Sequence, residues 1–115
     1  MLNLKKSAIL SLFLITGCSP HPGAGMWVSS AGNEANITKM SVYFEPKVEI
    51  YYADSNEPAM QCGWWALDRK NIEMECVHLS DTEQKEKFQL NVTGIDEAEL
   101  LQEERLITRL VRQRD

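Results

Sequence analysis

The residues from Met60 to Cys76 constrain this chain more than any other stretch. Met60, Cys62, Trp64 and Ala66 fall on every second position, and beyond Asp68-Arg69-Lys70-Asn71 so do Ile72, Met74 and Cys76. Period two is the repeat of a strand with one buried face. A hairpin turning about Arg69 puts Cys62 opposite Cys76, Trp64 opposite Met74 and Ala66 opposite Ile72. One register therefore yields both an apolar face and a cross-strand cysteine pair, and opposed residues lie close enough to interact. A slip of one residue would turn each of these side chains to the other face.

The same period runs through most of the chain from Trp27 onward. Met40, Val42 and Phe44 alternate with Ser41, Tyr43 and Glu45, and Val48, Ile50 and Tyr52 alternate with Glu49 and Tyr51 after Pro46-Lys47. Ala53 to Pro58 and Ser80 to Glu86 read as polar loops. Phe88, Leu90 and Val92 form a further strand. From Ile95 to Arg114 two readings compete. Leu100, Ile107, Leu110 and Val111 share a helical face, with Arg105, Arg109 and Arg112 opposite, so residues 96–114 as a helix would make the fold α+β. Turns at Thr93-Gly94-Ile95-Asp96 and Glu103-Glu104-Arg105 instead bound strands near Ala98 to Gln102 and Leu106 to Arg112, and the expectation is all-β.

The N-terminus sets the compartment. Lys5 and Lys6 precede an apolar run from Ala8 to Ile15, the charged and apolar regions of a secretory signal. The run is too short to span a bilayer. It closes in Leu14-Ile15-Thr16-Gly17-Cys18, which resembles the bacterial lipobox. That resemblance implies cleavage before Cys18, lipid on its thiol and anchoring in the cell envelope; Ser19, which is not Asp, permits export to the outer membrane facing the periplasm by likeness to Gram-negative lipoproteins, with the inner membrane or a single-membrane host as alternatives. The organisation expected is a signal peptide at residues 1–17, lipidated Cys18 and a tether over residues 18–25, and a single β domain over residues 26–115. Such a tether reaches at most roughly 25 Å.

With Cys18 consumed by lipid, Cys62 and Cys76 remain as an even pair in an oxidising compartment. Their disulfide would contribute about 3 kcal/mol to a domain too small for a large core. The chain holds 12 basic and 17 acidic residues, and Lys5 and Lys6 leave with the signal, so the mature protein is strongly acidic. That balance excludes a nucleic-acid binder. Arg105, Arg109, Arg112 and Arg114 crowd the C-terminus as a solvated face or as a contact for anionic lipid or an acidic partner.

Gly25-Met26-Trp27, the strand at Phe44, Gly63-Trp64 and the closing Ile107-Thr108-Arg109 resemble the small lipocalin-like meander barrels found among bacterial lipoproteins. The resemblance implies a small antiparallel meander barrel or strongly curved sheet, with Trp27 closing one end against Arg109 or Arg112 by cation-π contact. Folds of this shape share no activity.

Catalytic chemistry has little footing. The histidines, His21 and His78, sit in the tether and at a strand end, with no triad or metal-ligand spacing, so no cofactor or metal is expected. Glu73 and Glu75 read as a solvated strand face. Trp64-Trp65 sends one ring to each face of its strand. Trp64 goes inward and Trp65 outward, where Tyr43, Tyr51 and Leu67 share its phase, and such a patch marks a binding surface unless a loop covers it. The expected function is a non-catalytic lipoprotein that binds another envelope protein, in one form an inhibitor or immunity protein. The alternative is a carrier of a small apolar ligand, which Trp64, Phe44, Phe88 and Met74 would leave little room for.

Overall fold

Alternation commits one face of each segment to burial, and the chain meets that demand with eight strands: β1 (Gly25–Ser29), β2 (Ile37–Val42), β3 (Val48–Tyr52), β4 (Met60–Ala66), β5 (Asn71–His78), β6 (Asp81–Val92), β7 (Glu97–Gln102) and β8 (Arg105–Arg112). The structure, a computed structural model, describes residues 20–53 and 55–114. The expected signal peptide at residues 1–17 and the lipidation candidate Cys18 lie outside the described residues.

Each strand pairs antiparallel with the next, and β8 returns to β1 through Trp27–Arg112, Val28–Val111 and Ser29–Leu110, closing an eight-stranded meander barrel. A barrel of eight strands is just wide enough for its own side chains to fill. Trp27, Ile37, Met40, Val48, Ile50, Ile72, Met74, Leu90, Leu100 and Leu110 do so, all essentially inaccessible. The β4–β5 register is the one that the alternation specifies, with Cys62 opposite Cys76 and Trp64 opposite Met74. The two cysteines are bonded, their Cα atoms 3.9 Å apart.

The C-terminal segment forms two strands and not a helix. Leu100 opposite Thr108 and Ala98 opposite Leu110 turn the apolar positions inward, an arrangement that outweighs local helical propensity. Two other expectations are corrected. Phe44 is not an inward strand residue, because β2 ends at Val42 and the chain turns over Tyr43 to Lys47, leaving Phe44 77% exposed. Ser80 to Glu86 is not a loop, because β6 starts at Asp81. β6 pairs with β5 along most of its length but with β7 only from Gln89 to Val92, so its charged first half can sit at a solvated edge.

Up-and-down order sends connections alternately to two ends of the barrel. The lead-in residues, the turns at residues 43–47, 67–70 and 93–96, and the chain end after Arg112 gather at one end. The connections at residues 30–36, 53 with 55–59, 79–80 and 103–104 gather at the other, called here the far end.

Candidate functional site

At the lead-in end, residues expected to be a free tether are bound to the barrel. His21 Nε2 donates to the Asp68 carbonyl at 2.6 Å and its Nδ1 accepts from the Gly23 amide at 2.9 Å, a pairing that the Nε2–H tautomer satisfies. Buried Trp27 donates its indole N–H to the Gly23 carbonyl at 2.9 Å. Arg112 lies over the Trp27 ring at 4.3 Å and donates to the carbonyls of Ala24 and Pro22, both at 2.7 Å. The close approach depends on Gly25, whose φ of 133° disfavours a side chain and whose missing Cβ would lie 2.5 Å from Arg112 Nη1. Trp64 packs on the core and donates to the Tyr43 carbonyl at 3.0 Å, tying the 43–47 turn to β4.

At the far end a polar cluster continues the inward phase of the strands. Cys76 is opposite Glu86, and Glu86 takes a hydrogen bond from His78 Nε2 on one carboxylate oxygen and from Gln102 Nε2, at 3.0 Å, on the other. Burial works to raise the Glu86 pKa, but the bonds from Gln102 and His78 together with the charge on His78 outweigh it and hold the carboxyl below its ordinary range. Burial, and secondarily the charge of Glu86, pushes the Tyr52 hydroxyl above its ordinary value. The cluster borders a cleft lined by Lys85, Lys87, Leu101, Glu103 and Glu104, where the β6–β7 ladder has run out.

The expected binding residues are dispersed rather than assembled. Trp65 faces outward opposite Glu73 and is 43% exposed. It stands beyond the last β3–β4 rung, between Val48 and Cys62. Tyr43 and Tyr51 flank Glu49 and are each covered by a lysine. Tyr43 donates to Glu49 at 2.6 Å beneath Lys47, and Lys39 lies 4.3 Å over the Tyr51 ring. The bond to Glu49, then burial and the Glu49 charge, raise the Tyr43 pKa. The arginines part along β8. Arg105 is exposed opposite Gln102 at the far end, Arg109 lies 3.6 Å from Glu99 on the wall, and Arg112 turns to the opposite face to close the lead-in end. They form no single cationic site, and Arg112 is committed to Trp27.

The His78–Glu86–Gln102 cluster is absent from the sequence expectations, although a signal for it exists. Extending the inward phase two residues past Cys76 and two residues before Phe88 reaches His78 and Glu86. Gln102 joins them only because closure brings the end of β7 alongside β6.

No protein-family model, no curated protein and no solved structure matches the chain.

Proposed function

We propose that the protein is a lipid-anchored, non-catalytic cell-envelope protein, held by Cys18 and facing the periplasm, that binds another envelope protein through the outside of its barrel. Inhibition of an attacking enzyme, or immunity to one, is a concrete form of that activity. The observation that carries the reading is the filled interior: Trp27, Met40, Ile50, Met74 and Leu100 occupy the space a small apolar ligand would need. Recognition therefore falls to the surface.

The far end supports a protein partner with a basic face. The turn between Gln102 and Arg105 holds Glu103 and Glu104 at φ 52° and 66°. Asn-Gly takes that conformation at little cost, whereas residues with larger side chains are disfavoured by about 1 to 2 kcal/mol each. Two strained acids at one tip make sense if their charge is used. The Glu86 carboxylate, already engaged by His78 and Gln102, is a fixed acceptor beside them rather than a free base.

Crosslinked capture of the lipidated protein from its own envelope tests the proposal. A stoichiometric protein partner is expected, with less of it captured by the Glu103→Asn/Glu104→Gly variant even though that variant should be more stable. Recovery of a lipid without protein would replace this reading with the carrier. Labelling with a palmitate analogue tests the anchor, and label that survives Cys18→Ala would remove it.

A further inference from the structure

Most of the exposed large apolar residues gather at the lead-in end, with Leu79 and Leu106 exposed at the far end. Each of the three turns at the lead-in end carries one: Phe44 at 77% exposure between β2 and β3, Leu67 at 49% between β4 and β5, and Ile95 at 83% between β6 and β7. Turn tips ordinarily hold Gly, Asn, Asp, Pro or Ser, chosen for backbone geometry and solvation. Three apolar tips at one end of a small barrel do nothing for folding, since none of them packs on the core. Met26, Trp65 and Val111, all partly exposed, stand on the strands at the same end, and Tyr43, also partly exposed, opens the 43–47 turn. Charge follows the same axis. Lys47, Arg69, Lys70 and Arg114 lie at the lead-in end beside Glu45, Asp68 and Asp96, and Asp96 is already paired with Arg114 at 2.5 Å. The far-end connections and the adjacent strand starts instead carry Glu34, Glu57, Asp81, Glu83, Glu103 and Glu104 against Lys85 and Arg105, an acidic balance.

We infer that the lead-in end docks on a phospholipid bilayer, with Phe44, Leu67 and Ile95 entering the headgroup region and the acidic far end pointing away. This rests on the lipid anchor at Cys18 proposed above. The occupant follows from chain length. Because Pro22 and Ala24 are bonded to Arg112 and His21 to the Asp68 carbonyl, the free spacer is not seven residues long. Cys18 stands two residues before Pro20, and two residues span at most about 7 Å. Pro20 itself borders the hollow formed by Phe44 and Trp64. An acyl chain leaving Cys18 therefore enters the membrane beside Phe44, and the apolar tips meet the interface where aromatic and aliphatic anchors are favoured. Anionic headgroups would attract the flanking lysines and arginines and repel the far end, so charge and apolarity select the same orientation.

The test uses the full lipidated protein in vesicles of phosphatidylethanolamine and phosphatidylglycerol with brominated acyl chains. Tryptophan is introduced singly as Phe44→Trp, Leu67→Trp, Ile95→Trp and, as a far-end control, Leu79→Trp. The expected result is additional quenching by the brominated chains at the three tips and none at Leu79→Trp. Fluorescence at the tips that is unquenched, or quenching at Leu79→Trp alone, overturns the docking. Mass spectrometry of the N-terminal peptide in the same samples separates the two readings: an acylated Cys18 with unquenched tips defeats the docking and leaves the anchor standing. A photo-crosslinker at Phe44 in native envelopes gives a second readout, in which lipid adducts support the docking and protein adducts assign the surface to a partner instead.

Discussion

The guanidinium of Arg112 lies 4.3 Å over the indole of Trp27 while it bonds the carbonyls of Pro22 and Ala24, so one side chain both seals the barrel and holds the segment that leads into it. Arg112→Ala removes the cation-π contact and three charge-assisted hydrogen bonds, to Pro22, Ala24 and Ile95, with an expected loss of about 2 to 4 kcal/mol. Arg112→Lys should recover only part of it, because an ammonium cannot reproduce the planar fork. Gly25→Ala should resemble Arg112→Ala by displacing the same group. Urea unfolding measures the loss, and faster hydrogen exchange at the Ala24 amide, which donates to the His21 carbonyl, locates it.

The Cys62–Cys76 bond closes a loop with a sequence separation of 14 across directly opposed strand residues. Replacing both cysteines by serine should preserve the barrel, because the register also rests on Trp64–Met74 and Ala66–Ile72, at a cost of about 3 kcal/mol. Denaturation with and without reductant should reproduce that difference in the parent protein and show none in the variant.

Glu86 gives the far end a pH dependence of definite sign. Its folded pKa is depressed below the ordinary glutamate range, so the unfolded chain takes up this proton at higher pH than the folded one. The stabilising contribution is complete above the ordinary glutamate range and is lost as pH falls through the depressed value. Unfolding free energy measured against pH should fall more steeply on the acidic side for the parent than for Glu86→Gln. Identical slopes would show that the His78 and Gln102 bonds do not favour the ionised carboxyl.

Neighbouring tryptophans should behave differently. Trp64 packs against the core and anchors the Tyr43 carbonyl, so Trp64→Ala should approach the roughly 3 to 5 kcal/mol of a buried tryptophan truncation. Trp65 is outward and half exposed, and Trp65→Ala should change stability by less than about 0.5 kcal/mol. Melting curves of the two variants decide the matter, and the reverse order would place the β4–β5 hairpin one residue out of register.

The alternation around Met60 to Cys76 already specified a strand pair, its register, its inward face and the opposition of the two cysteines, because a tight hairpin is a local object whose pairing follows from its turn. The bounding turns at Thr93 to Asp96 and Glu103 to Arg105 likewise marked β7 and β8, although helical propensity competed there. Phe44 and Ser80 to Glu86 were misleading because alternation does not say where a strand stops, and charge does not say whether a strand lies at an edge.

Tertiary structure alone decided what happens at the two ends. Arg112 rather than Arg109 meets Trp27 because β8 closes on β1 in a register that puts Arg112 beside Trp27. Gln102 reaches Glu86 across a ladder that has already ended, and residues 20–24 become part of the domain by bonding to groups dozens of positions away. Phe44, Leu67 and Ile95 are far apart in sequence and share an end only because the strands run up and down. Each of these contacts is fixed when the sheet closes on itself, and closure depends on every strand at once, whereas periodicity is carried by one segment at a time.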